Sequence, residues 1–294
     1  MALIIGPRQM KPHLDTHLLR SILYVPGSNL KTLAKAPTLK ADGLILDLED
    51  SVAPEAKIQA RQNVVETLRQ TASGNRCLRV VRINGMQSDL WSDDLEAILP
   101  GKPDAVAISK IESPNDLDIL TEKISCPVWA MIESPLGVLN AFAIASHPCV
   151  TCLVMGSSDL TRAMKIPGDP ERIGLRLVLQ QTILAARAAG IPVLDGVFVN
   201  IQDTDGFINE CRGGALLGFD GKTIIHPRQI EPANRIFLPN ADEVEQAQRI
   251  VNAWNAARNQ GEEICVVDGR LVERLHADQA AQRLAKWEMA QKYD

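Results

Sequence analysis

Glu133 and Asp159 each close an apolar run, PVWAMIES (127–134) and TCLVMGSSD (151–159), and a helix-like stretch separates the two. If both runs are parallel strands of one sheet, their downstream tips point the same way and the carboxylates converge on one face. Two carboxylates in a semi-enclosed mouth repel each other unless a cation or a shared proton intervenes. A hard, oxygen-seeking ion such as Mg²⁺ suits that arrangement, held by few protein ligands with positions open for substrate oxygens. The alternative is a pair of helix N-termini, since Ser134-Pro135 and Asp159-Leu160 both lead into helical patterns. Arg82 interrupts the run VVRIN (80–84), where burying a guanidinium is costly without a purpose. A rim ion pair with Asp50 or Glu112 is its plain alternative.

Such residues need a frame that brings strand ends together. Strand-like runs fall at 21–26, 43–49, 79–84, 105–110, 127–133, 152–157, 192–198 and 221–226, each with an apolar centre rich in Val, Ile and Leu. That composition suits strands buried on both faces. The segments between them, such as 54–70 and 171–190, have amphipathic period, and a Gly ends the second. Eight strand–helix units predict an α/β fold, a (β/α)8 TIM barrel over 18–238. A doubly wound open sheet competes, but the G-x-G-x-x-G expected after an early strand is missing. Polar residues gather at the predicted strand ends: Pro26-Gly27-Ser28, Asp47/Glu49/Asp50, Arg82/Asn84, Lys110/Glu112, Glu133, Ser158/Asp159, Asp195 and His226-Pro227. Carboxyl-terminal strand ends are the catalytic face of such barrels. Residues 239–294 read as a separate extension: a helix opening near Asn240 and stopping at Gly261, a short strand and turn at 263–273, and a closing helix over about 273–291. A barrel does not need this tail to close, so the tail is expected to contact a neighbouring subunit or cover the site.

Composition removes several function classes. With 46% hydrophobic and 23% charged residues the chain reads as an ordinary globular protein, and its net charge of −5 argues against nucleic-acid binding. No run reaches the ~18 apolar residues of a membrane span, and the start lacks a signal-type apolar region, so the expectation is a cytoplasmic enzyme. Six scattered cysteines suit reduced thiols, and Cys149-Val-Thr-Cys152 opens a strand instead of capping a helix. His13 and His17 stand four apart in a polar leader and read as solvated. Lys110 is expected to pair with Glu112 or Glu133, and these acids oppose the lowered pKa that Schiff-base chemistry requires.

The order of several blocks adds a further reading. RSILYVPGSN (20–29), LILDLEDSVAPEAKIQAR (44–61), VVRIN (80–84), AMIESPLGV (130–138), MGSSDL (155–160), IIHPRQI (224–230) and VVDGRLVE (266–273) occur in that sequence. Together they resemble the citrate lyase β-subunit/malyl-CoA lyase group within the HpcH/HpaI aldolases. The resemblance implies a Mg²⁺-dependent barrel that cleaves a β-hydroxyacyl thioester, with Glu133 and Asp159 as metal ligands. It further implies that Arg82 holds the carboxylate and carbonyl of the keto-acid portion, with a two-pronged grip that Lys cannot reproduce. Glu49 and Asp50 would lie behind the metal and Arg82. Tyr24, Lys35, Ser158 and the turn Ile225, His226 and Pro227 would approach substrate or coenzyme A, with His226 structural or facing the coenzyme and not a base. Glu273 stands where malyl-CoA lyases carry an Asp that acts as acid/base from an adjacent subunit, and Asn29 stands where they carry an Arg. The group also implies a homotrimer or homohexamer.

The expected activity is therefore an acyl-CoA lyase giving acetyl-CoA and a 2-keto acid, pyruvate or glyoxylate, from a citramalyl- or malyl-type CoA thioester. A malyl-CoA thioesterase and a citrate lyase β-subunit acting on a citryl thioester are the alternatives.

Overall fold

The computed structural model describes residues 17–71, 77–124 and 126–293. Eight parallel strands close into a barrel: β1 (Ser21–Pro26), β2 (Gly43–Asp47), β3 (Leu78–Ile83), β4 (Ala105–Ile108), β5 (Val128–Ile132), β6 (Val150–Met155), β7 (Val193–Asp195) and β8 (Gly221–Ile224). Closure is made by β1 on β8, with Ser21 beside Lys222 and Leu23 beside Ile224. The expected α/β barrel is therefore the observed fold. Several strands end earlier than the sequence reading expects: β2 at Asp47, β4 at Ile108, β6 at Met155 and β8 at Ile224, and β7 spans only Val193–Asp195. Asp159 accordingly lies in the first turn of the helix Ser157–Ala163 and not at the tip of a strand.

Side chains alternate along a strand, so one parity of each strand fills the barrel. Ile22, Ile45, Val80, Ala105, Ala107, Trp129, Met131, Cys152 and Val154 form that interior, packed with Tyr24. Burying aliphatic side chains of this size stabilises by roughly 1.5–3 kcal/mol each. Two residues further along the same parity, apolar gives way to polar: Ile45 to Asp47, Val80 to Arg82, Ala107 to Ser109, Met131 to Glu133. The upper layer of the barrel is thus polar because the inward stripe of each strand ends in a polar residue. The other parity (Leu44, Leu46, Val81, Ile83, Val106) is equally buried, which accounts for the unbroken apolar runs.

Cys152 is buried in the barrel core, whereas Cys149 sits 3.0 Å from His147 Nδ1, so the C-x-x-C pair does not share an environment. His13 lies outside the described residues. No helix among the described residues is long and apolar enough to cross a membrane.

Compact units end and begin at Asn234 and Arg235. The second unit holds the helices Ala241–Asn259 and Arg274–Tyr293, which pack on one another, and a two-stranded hairpin, β9 (Cys265–Val267) and β10 (Arg270–Val272). Asn240 and Glu243 form a reciprocal cap on the first helix. Asp268 and Gly269 both adopt positive φ, the geometry of a tight two-residue hairpin turn. Arg249 from the first helix ties that turn through Asp268 at 3.0 Å.

At the amino-terminal end of the barrel, Arg20 grips Asp42 through Nε at 2.9 Å and Nη2 at 2.8 Å, and both residues are buried. The Arg20 backbone N–H donates to the same carboxylate at 2.7 Å, so Asp42 fixes the entry of β1 against β2. Asp42→Ala leaves a buried guanidinium uncompensated and is expected to cost about 3–5 kcal/mol. Urea unfolding with an unchanged slope checks this; a loss below 1 kcal/mol would show that the pair is dispensable.

Candidate active site

Asp47 and Arg82 are neighbours in the β2–β3 register and belong to the inward stripe of their strands. Their side chains meet inside the barrel: Arg82 Nε donates to Asp47 Oδ1 at 2.6 Å, and Nη2 donates to Oδ2 at 2.7 Å. Glu49 Oε2 lies 2.9 Å from Arg82 Nη1 without hydrogen-bonding alignment, and Asp50 Oδ2 lies at 3.5 Å. Burial alone would raise the Asp47 carboxyl, but the Arg82 hydrogen bonds outweigh it and hold Asp47 below the ordinary carboxylate range. This corrects the expected partner set of Arg82. Glu112 takes no part, Asp50 is peripheral, and the principal anchor is Asp47, which sequence reading had placed among strand-end acids without a role. The expected free two-pronged grip on substrate is also corrected, because the Nε/Nη2 edge is occupied by Asp47. The Nη1 end, which meets Glu49 and the exposed Asp50, is the one without a short, aligned hydrogen bond. The signal for Asp47 was available: it stands on the inward parity of β2, level with Arg82.

Glu133 follows β5 on the same inward parity and is buried. Lys110 donates its backbone N–H to Glu133 Oε2 at 2.9 Å. Gly156 leaves the space the carboxylate uses, since a Cβ at that position would collide with the Glu133 side chain. Burial first, then the charges of Glu49 and Asp159, push the Glu133 carboxyl up to about 7 in spite of Arg82. Asp159 faces the same cleft and pairs with the exposed Arg162 at 2.5 Å. The alternative of two helix N-caps fails for the acids themselves: Ser134 caps Pro135–Leu139 by accepting from the Gly137 N–H, and Gly156 holds the cap position of Ser157–Ala163.

A cleft of about 330 Å³ at the carboxyl-terminal mouth brings most of these residues together. Tyr24, Asp50, Arg82, Glu133, Ser158, Asp159 and Ile225 all line it. Glu49 lies beneath, accepting from Ser109 Oγ at 2.5 Å and Lys110 Nζ at 3.1 Å. Lys110 thus pairs with Glu49 and not, as expected, with Glu112 or the Glu133 side chain. Burial would lower its pKa, yet the Glu49 charge and hydrogen bond raise it, which keeps the amine protonated and unsuited to imine formation. The Tyr24 ring lies 4.9 Å from the Arg82 guanidinium carbon, and burial drives its phenol pKa upward. Ser157 Oγ is buried beside the cleft without a hydrogen-bond partner among the described residues.

Other expected site residues stand outside this lining. His226 accepts from the Arg228 N–H through Nδ1 at 3.2 Å and, with Gln229, caps the short helical turn Pro227–Gln229. Its structural role is thereby accounted for. Lys35 is exposed at the end of the helix Leu30–Lys35. Glu273 precedes the helix Arg274–Tyr293 in the second unit, and its N–H donates to His276 Nδ1 at 3.0 Å. Asp195, expected at the catalytic face, is wholly buried between Lys222 at 3.0 Å and Arg172 at 2.7 Å. Glu210 accepts from Lys222 at 2.6 Å and completes a second ionic cluster. Among the described residues no group of three or more His, Cys, Asp or Glu has the geometry of a metal cage. The available donor set is the carboxylate pair.

The HpcH/HpaI aldolase/citrate lyase family model matches residues 20–227, the barrel that carries this cleft. The chain belongs to that family. Within it, a (3S)-malyl-CoA thioesterase of Cereibacter sphaeroides is 44% identical over 275 residues, covering 93% of this chain and 96% of that protein. The citrate lyase subunit beta of Haemophilus influenzae is 35% identical, covering 90% of this chain and 94% of that protein. Among solved structures, CitE from Mycobacterium tuberculosis in complex with magnesium, acetoacetate and coenzyme A superposes with a TM-score of 0.77 at 29% identity, covering 93% of this chain and 99% of that one. The family thus contains proteins named for breaking a thioester and proteins named for breaking a carbon–carbon bond.

The raised Glu133 carboxyl has a consequence for stability. In the folded chain it titrates near 7, against an ordinary value of 4.5, so the folded state holds a proton that the unfolded state has released between those values. Stability in chelator therefore falls as pH rises through that window and stays reduced above it. Glu133→Gln removes the charge, so in chelator the variant is expected to melt above the wild type at pH 8, with the gap closing toward pH 4.5. Identical melting curves at pH 8 would show that the carboxylate is not destabilised in the fold.

Proposed function

We propose that this protein acts with Mg²⁺ on a malyl-type β-hydroxyacyl-CoA thioester and that the bond it breaks is the thioester. The observation that carries the site assignment is the convergence of Glu133, Asp159 and Arg82 on one cleft. The choice of thioester hydrolysis over carbon–carbon cleavage rests on the malyl-CoA thioesterase likeness, which extends over nearly the whole of both chains.

The residues suit the ion. Glu133 and Asp159 supply hard oxygen donors, and Mg²⁺ is commonly held by one or two carboxylates with its other positions left to water and substrate. Gly156 keeps the space beside Glu133 open, and Glu133 has no ion-pair partner among the described residues. Bound there, Mg²⁺ would act as a Lewis acid toward substrate oxygens. Arg82 Nη1 meets the terminal carboxylate of the malyl group with a charge-assisted hydrogen bond. Asp47 holds the guanidinium plane so that the contact needs no rearrangement when substrate arrives. Tyr24 stays a neutral phenol and closes one wall with its ring. Ser157 and Ser158 offer hydroxyls to the bound acid or to the attacking water. In hydrolysis the water oxygen bonds to the thioester carbonyl carbon, the C–S bond breaks, and coenzyme A leaves as the free thiol.

Carbon–carbon cleavage is the second reading, favoured by the citrate lyase β-subunit likeness and by the acetoacetate and coenzyme A of the Mycobacterium structure. It would yield acetyl-CoA and glyoxylate from malyl-CoA, or pyruvate from citramalyl-CoA, on the same donor set. Membership of a trimer or hexamer, with Glu273 serving a neighbouring site, belongs to that reading.

Incubating the purified chain with (3S)-malyl-CoA and Mg²⁺ separates the two. Free thiol and malate in equal amounts, without glyoxylate, is the expected result. Glyoxylate with acetyl-CoA would assign the lyase reaction instead, and no turnover with either malyl- or citramalyl-CoA would remove both readings. Arg82→Lys retains a charge but not the planar fork that Asp47 orients, and turnover is expected to fall by about 100-fold. A fall of less than 3-fold would exclude Arg82 from the chemistry.

A further inference from the structure

Lys110 adopts a left-handed backbone conformation, φ +56°, two residues beyond the end of β4. Residues with a Cβ rarely occupy that region, and where they do the surrounding contacts must hold them there. Two contacts do so here, one from each end of the residue. The backbone N–H donates to Glu133 Oε2 at 2.9 Å, and Nζ donates to Glu49 Oε1 at 3.1 Å. A glycine would make this turn with less strain but would leave Glu49 without the ammonium.

We propose that Lys110 is a positioning residue: its left-handed backbone aims the amide at Glu133 while its ammonium holds Glu49, so that one residue orders the acids on which the site depends. The Glu133 carboxylate is held on one oxygen by this N–H, which fixes the direction in which its other oxygen faces the cleft. Glu49 is held by Lys110 and Ser109 on Oε1, leaving Oε2 beside Arg82 Nη1. The groups packed around Lys110 Nζ are thus Glu49, with Asp50 and Glu133 contributing charge from nearby. The inference rests on the proposal that Glu133 is a ligand of a divalent cation.

Charge and orientation predict opposite outcomes. Removing a positive side chain near a cation site tightens cation binding if charge alone matters, whereas losing the left-handed turn swings the amide off Glu133 and weakens it. Lys110→Asn and Lys110→Val both delete the ammonium, but Asn tolerates the left-handed conformation and a β-branched residue does not. Mn²⁺ is the probe, its dissociation constant measured on the full chain by electron paramagnetic resonance, with melting curves confirming that each variant is folded at the assay temperature. The Asn variant is expected to bind Mn²⁺ at least as tightly as the wild type, and the Val variant about 10-fold more weakly. Equal affinities for Asn and Val overturn the positioning role while leaving the cation site standing. If the wild type itself binds no Mn²⁺, the cation site and the inference fall together. Should the Val variant not fold, Lys110→Thr, β-branched but smaller and polar, takes its place; it is expected to bind Mn²⁺ more weakly than Asn, and equality with Asn overturns the proposal in the same way.

Discussion

The ion pair between Asp47 and Arg82 is the constraint on which the mouth of the barrel depends. A guanidinium on the inner face of a closed barrel is stable only if its charge and its donors are met there. The register of β2 on β3 sets Asp47 level with it, and the two parallel hydrogen bonds fix the guanidinium plane. Arg82 then becomes a fixed positive point against which Glu49, Asp50 and Tyr24 are arranged. The acids Asp42, Asp47, Glu49, Asp94 and Asp195 are buried with cationic partners. Glu133 is buried with none among the described residues and carries the upward pKa shift. Among the buried acids of the described residues, the unpaired charge is therefore concentrated at one carboxylate, in the cleft, where a cation would relieve it.

The barrel supplies the rest by alternation. Because inward parity runs up each strand, the apolar layers that stabilise the barrel and the polar layer that forms the cleft belong to the same stripes. Stability and site are consequently separated by height and not by element. The amino-terminal end is secured by pairs such as Arg20 with Asp42 and Arg79 with Asp104, which contribute no group to the cleft. On the β7–β8 side, Asp195, Lys222, Arg172 and Glu210 neutralise one another completely. The second cluster draws Arg172 from a loop and Glu210 from the helix Thr204–Leu217 to balance Asp195 and Lys222, whereas among the described residues the one around Arg82 leaves an acid over.

Much of this was legible in the chain. The blocks DLED, VVRIN, IESP and GSSD announce charged residues at the ends of buried strands, and parallel strands in a barrel bring such ends together whatever the details. Other assignments needed contacts that sequence spacing does not report. Asp47, Glu49 and Asp50 lie within four residues, and only side-chain direction distinguishes the anchor of Arg82 from the acid beneath the site and the one at its rim. Likewise Asp195 and Asp159 look alike as strand-end acids, but partners far along the chain bury the first and leave the second facing the cleft.

By itself the sequence determined the repeating strand–helix order, the apolar interior and the presence of acids and an arginine at the strand tips, since those follow from periodicity and residue type alone. Only the tertiary structure decided which acid neutralises Arg82, which edge of the guanidinium that acid occupies and which carboxylate stays unpaired. The physical reason is that charge balance in a buried site is a property of distances of a few ångströms between strands, and those distances exist only after the barrel has closed.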